Sequence, residues 1–312
     1  MIPEKVRDLF RKQHYALVGN HSAVQICRWT KKSLLDKDVC YKQKFYGIQC
    51  HRCCQMAPCI SWCQHRCVFC WRAIEYTLGD KMQGKIDDPK EIIDKCIEAQ
   101  KKQLIGFMGN SKANKIKLQE AFHPKHFAIS LAGEPTIYPK LSELIKELHR
   151  RKITTFLVTN GMLPEVLGKI EMPTQLYVSV DAPNEELYKK IDKPVTGKWK
   201  NLIETLKLLP RLKTRTVMRI TCIRNLNMIE PENYAKFIKM AEPMFVEIKG
   251  YVAVGFSRKR LGVNFMPQHS EVRGFAEKIS KHSGYKIIDE KENSRVVLLM
   301  KEDRNRFIKL NE

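Results

Sequence analysis

The sequence predicts an α/β fold in which parallel strands alternate with helices. Short apolar runs alternate along the chain with amphipathic stretches of helical period, and polar motifs follow directly after three of the apolar runs. Strands and helices in this order form either a barrel or an open, doubly wound sheet, and both folds bind ligands at the carboxyl ends of their strands. We therefore expect a functional site at that edge.

Six strands and seven helices account for this pattern. The first strand, at 55–60, lies just before a dense group of cysteines. The strands at 127–132, 154–159 and 176–181 each end in a polar motif, and two more are expected at 217–223 and 245–251. Helices are expected at 89–104, 139–151, 163–170, 184–192, 198–210, 231–241 and 269–283. Because no flexible linker, low-complexity segment or internal repeat interrupts the pattern, one continuous domain is expected.

The charge of the chain favours a polyanionic partner. Its 312 residues include 56 Lys and Arg against 34 Asp and Glu, a formal net charge of +22. Such a field attracts nucleic acid, and the basic residues are scattered as on a folded surface rather than collected in a tail. A lysine-rich or heat-adapted surface would carry the same charge, so charge alone does not identify the partner.

The cysteines indicate a metal site in a cytoplasmic protein. No run of about 18 apolar residues occurs and the N-terminus lacks the apolar core of a signal peptide, so no membrane association is expected. In a reducing compartment the eleven cysteines are not expected to form disulfides, and nine of them lie between Cys27 and Cys70. The two outliers, Cys96 and Cys222, are predicted to be small buried apolar groups.

Three of these cysteines have the spacing of an iron–sulfur site. Cys63, Cys67 and Cys70 follow the first strand as C-x3-C-x2-C. A four-iron cluster held by only three thiolates keeps one iron open to another ligand. A zinc ribbon from Cys50-x2-Cys53 and Cys67-x2-Cys70 is the alternative, and would make the protein a zinc-stabilised nucleic-acid-binding module. It gives Cys63 no role and does not explain the polar motifs at the strand ends.

With Phe69 before its last cysteine, this motif resembles that of the radical S-adenosylmethionine (SAM) superfamily. In that family the open iron binds the amino and carboxylate groups of SAM, which is cleaved to a 5′-deoxyadenosyl radical that abstracts hydrogen from the substrate. The resemblance implies an incomplete (β/α)6 TIM-like barrel. Its core is expected at 46–285, with a cysteine-bearing N-terminal extension at 1–45 and a C-terminal extension at 286–312.

The same resemblance implies a SAM site at the strand ends. Gly133-Glu134-Pro135 resembles the G-E-P motif whose backbone and carboxylate bind the SAM amino group. The segment 251–255 is expected to border the adenine. The remaining expected contacts, to the ribose or carboxylate of SAM, are Thr159, Asn160, Ser179, Asp181 and Arg219.

A second set of cysteines, Cys27, Cys40 and Cys53, recurs at intervals of 13 positions and suggests a second cluster. On spacing alone, Cys50, Cys54 and Cys59 compete with them as ligands. The whole arrangement, C-x12-C-x12-C, then QMxPxxxWCx3CVFCWR, then GEPTxYP, is similar to the tRNA 4-demethylwyosine synthase family of wyosine and wybutosine biosynthesis. The match runs from about residue 25 to about residue 277. The resemblance implies that Cys27, Cys40 and Cys53 hold a second 4Fe–4S cluster.

What the family resemblance implies is a condensation of N1-methylguanosine, beside the anticodon of phenylalanine tRNA, with two carbons of pyruvate to give a tricyclic base. The second cluster is a plausible anchor for pyruvate, and a Schiff-base lysine is another. Lys42, two residues after Cys40, is our candidate on the expectation that a cationic cluster depresses its pKa, and Lys44 competes with it. A radical SAM enzyme acting on a protein or a small molecule remains the alternative function.

The remaining expectations concern tRNA and electrons. A base in an RNA loop is read by stacking on aromatic and arginine side chains, so the rim of the pocket is predicted to include Trp62, Trp71, Phe256 and Arg258. Relatives in this family can carry a flavodoxin-like domain, but only 26 residues precede Cys27. An external ferredoxin or flavodoxin is therefore the expected electron donor.

Overall fold

A computed structural model describes residues 2–309, and a mixed sheet of ten strands runs through this part of the chain. The spatial order is β1-β2-β3-β4-β5-β6-β7-β8-β10-β9, and the two edge strands do not pair, so the sheet is open. The strands are β1 Ala16–Val18, β2 Ser22–Val24, β3 Cys53–Ala57, β4 His126–Ile129, β5 Thr154–Thr159, β6 Gln175–Ser179, β7 Arg215–Cys222, β8 Phe245–Gly250, β9 Lys286–Lys291 and β10 Val296–Met300.

Twelve α-helices and six 3-10 helices join these strands in the described residues. The α-helices are Glu4–Lys12, Arg28–Leu34, Tyr41–Tyr46, Pro89–Leu104, Lys115–Ala121, Leu141–Arg150, Pro164–Leu167, Glu185–Ile191, Trp199–Leu208, Pro231–Ala241, Ser257–Arg260 and His269–Ser283. The 3-10 helices are Cys50–Arg52, Ile74–Tyr76, Ile105–Phe107, Pro135–Ile137, Leu209–Arg211 and Glu292–Ser294. None of the helices in this part of the chain is long and apolar enough to cross a membrane.

Strands β3 to β8 are all parallel and follow one another in chain order, which confirms the expected incomplete six-stranded (β/α) barrel. The seven predicted helices are confirmed within a few residues. The first strand lies earlier than predicted, at Cys53–Ala57, because the next residue is Pro58, which has no N–H to donate to the ladder.

Both chain ends extend this sheet with antiparallel strands that the sequence pattern did not predict. Strand β2 pairs with β3 through Ala23 and Ala57, and β10 pairs with β8 through Val297 and Ile248. Strands β1 and β2 are only three residues long, and β9 is rich in charged side chains, so none of these three shows the apolar run that predicts a strand. Strand β10, VVLLM, does show such a run, and it was missed.

The interior of the barrel is filled by the short helix Tyr41–Tyr46. Side chains alternate across each strand, so Val246 and Ile248 pack under the outer helices while Phe245 faces inward with the helix. The inner apolar cluster comprises Tyr41, Phe45, Tyr46, Ile48, Phe156, Tyr177, Val217, Phe245, Val296, Leu298 and Met300. This helix carries Lys42, so the packing places that lysine inside the barrel.

Candidate active site

The predicted SAM-site residues come together at the carboxyl ends of the parallel strands. A cavity of about 170 Å³ is lined by the three motif cysteines and by every predicted SAM contact outside the segment 251–255. Those lining residues are Cys63, Cys67, Cys70, Gly133, Glu134, Thr159, Asn160, Ser179, Asp181 and Arg219. The lining of this cavity thus combines three free thiols with carboxylate, amide, hydroxyl and guanidinium groups.

Glu134 organises one side of this cavity. Its carboxylate is buried, and Oε1 accepts hydrogen bonds from Thr136 N at 3.1 Å, Thr136 Oγ1 at 2.7 Å and Thr159 Oγ1 at 2.6 Å. Oε2 accepts from Asn160 N at 2.8 Å and so keeps capacity for a further donor. Burial raises the pKa of Glu134, while the bonds from Thr159, Asn160 and Thr136 act in the opposite direction. The carboxylate therefore ties the ends of β4 and β5 together.

The preceding glycine is required by close backbone packing. Gly133 has φ +71°, and a Cβ at this position would lie 2.1 Å from the carbonyl oxygen of Cys59 and 2.9 Å from that of Trp62. Any side chain would force the loop away from the cysteine segment. The backbone of Gly133 and Glu134 is consequently held directly against the cysteine loop, where Glu134 N donates to Trp62 O at 2.8 Å.

Two polar residues beside Cys67 were not predicted from the sequence. One ligand atom each from His65, Cys67 and Asp192 lies within 4.8 Å of the others, and the Cys67 thiol donates to Asp192 Oδ1 at 3.2 Å. Burial raises the pKa of Asp192 well above its usual range, with Asp181 adding to the shift. Asp192 follows a helix rather than a strand, so the strand-end rule could not have identified it.

The donor set at this cavity suits an iron–sulfur cluster. Burial raises the pKa of Cys63 to about 11 and raises that of Cys67 well above its usual range, so these two thiols are protonated without metal and metal binding must displace their protons. Thiolate is the usual ligand of such clusters, and three residues leave one iron position for SAM.

A second, larger cavity of about 410 Å³ contains the other predicted cysteines. Cys27, Cys40 and Cys53 all line it, as does Cys50. Burial raises the pKa of Cys53 to about 12 and also raises that of Cys40.

Three other thiols, Cys50, Cys54 and Cys59, compete as ligands on spacing, and of these only Cys50 lines this cavity. Cys54 and Cys59 are fully buried in the main apolar core and do not line it. The outlying Cys96 and Cys222 are also fully buried, which confirms the prediction for them.

Of the two candidate lysines, only Lys42 lines this cavity. Lys42 lines it, and its Nζ lies 4.4 Å from the ring centroid of Tyr177 and 4.6 Å from that of Phe156. Lys44 points outward, with its Nζ 2.7 Å from Asp289 Oδ1. Residues two apart on a helix lie on nearly opposite faces, so only one of the two can face the barrel interior.

The pKa of Lys42 is lowered, but the main cause is not the one predicted. Burial is the main cause, and Arg219 contributes a smaller lowering against the opposing effects of Glu247, Cys40 and Cys53. The cationic cluster expected from the sequence is thus a minor influence. Removal of the ammonium from water inside the barrel dominates.

Two further charged residues in the barrel interior, Glu247 and Lys249, were missed. They stand two positions apart on β8 and so share its inner face. Lys249 lines the larger cavity, and the buried Glu247 accepts hydrogen bonds from Tyr41 Oη at 2.9 Å and Tyr46 Oη at 2.7 Å. Charged residues at alternate positions of an otherwise apolar strand were the available signal.

The two cavities adjoin each other, since five residues line both; these residues are called the shared wall, and the two cavities together are called the chamber. The lining residues common to both are Phe69, Cys70, Trp71, Ser130 and Arg219. A group held near Lys42 and a group held near Cys63, Cys67 and Cys70 would therefore face each other across this wall.

The predicted tRNA contacts are only partly found at the surface. Trp62 is 3% exposed and packs in the main core, so its predicted place at the rim was wrong. Trp71 and Phe256 line an adjoining depression of about 360 Å³, and Arg258, two residues after Phe256, is exposed. Tyr251, Val252 and Val254, expected near adenine, line the larger cavity.

Comparisons with known proteins agree with this geometry. The radical SAM superfamily model matches residues 58–238, and the model for wyosine base formation matches residues 240–301. The SAM-dependent tRNA 4-demethylwyosine synthase of Pyrococcus abyssi is 51% identical over 97% of this chain and 90% of its own length. The corresponding protein of Methanocaldococcus jannaschii is 42% identical over 97% of this chain and 98% of its own length.

A solved structure of TYW1 with a lysine–pyruvate adduct bound has 40% sequence identity and superimposes with a TM-score of 0.89, covering 99% of this chain and 98% of that one. Membership of the radical SAM superfamily implies SAM and one 4Fe–4S cluster as cofactors. On sequence, fold and site together, this chain belongs to the tRNA 4-demethylwyosine synthase family of radical SAM enzymes.

Proposed function

We propose that this protein condenses N1-methylguanosine beside the anticodon of phenylalanine tRNA with pyruvate to give 4-demethylwyosine. Two pyruvate carbons are retained in the tricyclic base and the third is lost as its carboxyl. The observation that carries the proposal is that the cavity containing Lys42 lies next to the cavity of the SAM motif, with five lining residues in common. Such an arrangement suits a reaction that joins a radical-activated base to a tethered carbonyl compound.

The smaller cavity is proposed as the radical-generating site. Cys63, Cys67 and Cys70 would hold the cluster, and Glu134 with its neighbours would hold SAM. SAM held there would supply a 5′-deoxyadenosyl radical, the chemistry needed to take a hydrogen atom from the N1-methyl group of the target base. Residues of the wall then exclude water from the resulting carbon radical.

The larger cavity is proposed as the pyruvate site. The Lys42 amine would attack the keto carbon of pyruvate, forming an imine with loss of water. Support comes from the placement of Lys42 inside the cavity and from the relative whose solved structure contains a lysine–pyruvate adduct. Cys27, Cys40 and Cys53 would hold a second 4Fe–4S cluster in the same cavity, and such a cluster, with three thiolate ligands, would supply one iron able to bind substrate.

The mouth of the chamber is proposed to receive the tRNA. Trp71 lines both cavities and the adjoining depression, so a base flipped out of its stack could pass along it toward the radical site. Phe256 and Arg258 are proposed as contacts at the edge of that depression. The net charge of +22 would attract the tRNA phosphates and equally an acidic electron donor of the ferredoxin or flavodoxin class.

The test is an anaerobic reaction of the iron-reconstituted protein with tRNA containing N1-methylguanosine, SAM, a low-potential reductant and ¹³C-labelled pyruvate. Nucleoside mass spectrometry should detect a tricyclic guanosine that contains two pyruvate carbons. Lys42→Ala should abolish this product, whereas Lys44→Ala should retain it because Lys44 pairs with Asp289 outside the cavity.

Other outcomes would contradict the proposal in distinguishable ways. Formation of 5′-deoxyadenosine with unchanged tRNA would show a radical SAM enzyme that acts on another substrate. Product from Lys42→Ala at the wild-type rate would remove the imine from the proposal and leave pyruvate to be held by other groups.

A further inference from the structure

Three basic side chains line the larger cavity without an acidic partner. Among residues 2–309, no carboxylate oxygen lies within 4.0 Å of the side-chain nitrogens of Lys42, Arg219 or Lys249, although 21 such pairs of a lysine or arginine with a carboxylate occur elsewhere in this part of the chain. Burying an unpaired charge is costly, so positive groups gathered in a cavity favour an anionic ligand. The cavity therefore has the charge expected of an anion-binding site.

Lys249 is the cation that the proposed reaction leaves without a role. Its Nζ lies 4.8 Å from the ring centroid of Tyr41 and donates one hydrogen bond, to Ser294 O at 3.3 Å. An ammonium group has three donors, so two remain for a ligand. The nearby acid, Glu247, is engaged by the hydroxyls of Tyr41 and Tyr46.

The position of Lys249 distinguishes it from Arg219. Arg219 stands in the wall common to both cavities, where it can reach a group in the SAM site, whereas Lys249 lines only the larger cavity. Both Lys42 and Lys249 pack over aromatic rings of the inner cluster, Tyr177 and Tyr41 respectively. The two lysines thus belong to one pocket but come from different elements, the inner helix and strand β8.

We propose that Lys249 binds the carboxylate of the 2-oxo acid whose keto carbon is attached to Lys42. This inference rests on the proposed function, because it assigns the second half of the same substrate. In a 2-oxo acid the carboxylate is bonded directly to the keto carbon, so fixing the carboxylate also orients the carbonyl toward the Lys42 amine. Lys249 would thereby select 2-oxo acids over neutral ketones and aldehydes.

The experiment measures adduct formation rather than the complete reaction. Protein with both clusters reconstituted is incubated with pyruvate or with methyl pyruvate, its neutral ester, and any imine is reduced with cyanoborohydride. Intact mass and peptide mapping then give the concentration of each compound at which half of Lys42 is modified. The variants are Lys249→Gln, Lys249→Arg and, as a matched control, Lys286→Gln on the exposed face of β9.

Wild-type protein and Lys286→Gln should trap pyruvate at lower concentrations than methyl pyruvate. Lys249→Gln should raise the half-modification concentration for pyruvate by about 10-fold to 100-fold, the usual effect of losing a charged hydrogen bond, and leave that for methyl pyruvate unchanged. Lys249→Arg should restore much of the preference. Iron content should stay at the wild-type value in all three variants.

Several results would overturn the inference. An unchanged pyruvate dependence in Lys249→Gln would exclude a carboxylate contact, and an equal loss for both compounds would indicate a general disturbance of the cavity. A loss of iron from Lys249→Gln alone would instead assign this lysine to the thiolate site formed by Cys27, Cys40 and Cys53. The absence of any adduct in wild-type protein is a different failure, because it would refute the imine of the proposed function itself.

Discussion

Replacing Glu134 by glutamine tests whether this carboxylate organises the SAM site. In the wild-type protein, Asn160 N donates to Oε2 of Glu134 at 2.8 Å. The amide oxygen of Gln can keep the three hydrogen bonds from Thr136 and Thr159, but its NH₂ group would face Asn160 N and could not accept that bond. One buried donor then loses its acceptor, at a cost of about 1–3 kcal/mol. Asn160 also lines the cavity, so the disturbance reaches the ligand wall.

The expected result is a loss of SAM affinity of about 5-fold to 150-fold, the equivalent of that free energy. SAM binding is measured by equilibrium dialysis on the cluster-loaded protein, tRNA binding by filter retention, and folding by denaturant unfolding. Glu204→Gln, the same change at an exposed helix position, serves as the control and should match wild type.

Unchanged SAM affinity in Glu134→Gln would show that the hydrogen bonds of Glu134 have no bearing on SAM binding. Equal losses of SAM and tRNA binding, together with a lower unfolding free energy, would show that Glu134 serves the fold rather than the cofactor site. Loss of SAM binding with intact tRNA binding is the outcome that the geometry predicts.

Three further predictions follow from other parts of the molecule. Cys27→Ser should reduce the iron and sulfide content by about one cluster per chain and preserve SAM cleavage. The control Cys96→Ser, in the apolar core, should keep the wild-type content. Equal iron and sulfide content in the two variants would contradict a second cluster. Phe256→Ala should weaken tRNA binding at constant salt without changing how steeply binding falls with salt, since stacking involves no counterion release; an altered salt slope, measured by filter retention, would argue against stacking. Hydrogen bonds from two neighbouring arginines lower the pKa of Glu147 to about 2, so its ionised form stabilises the fold at neutral pH and that contribution should disappear as the pH falls from about 4.5 to about 2. Glu147→Gln should flatten this part of the stability curve in denaturant unfolding, and an unchanged acid limb would show that the ion pairs do not stabilise the fold.

The residues predicted to hold SAM and its cluster could be found from the sequence because short-range rules bring them together. The spacing of Cys63, Cys67 and Cys70 fits a single loop, and the polar motifs after β4, β5 and β6 had to meet because parallel strands end at one edge. No knowledge of distant contacts was needed to place Glu134 near the cysteines. The same local logic explains why all seven predicted helices are present.

Local rules could not distinguish core residues from rim residues. Trp62 was predicted at the tRNA pocket because it adjoins the cysteine motif, yet it is buried in the main core. An aromatic side chain suits a stacking platform and an apolar core equally well, so its role depends on what packs over it.

The sequence by itself determined the parallel α/β barrel, the SAM motif, and the cysteines and lysines from which the second site is drawn. Only the tertiary structure showed that Lys42 lines the larger cavity while Lys44 pairs with Asp289. It also showed that Cys50 is the one competing thiol in that cavity and that Lys249 lines it. It also added the edge strands at both chain ends. The physical reason is that these choices depend on burial and charge pairing between residues far apart in sequence, as when the hydroxyl of Tyr41 binds Glu247 across 206 positions.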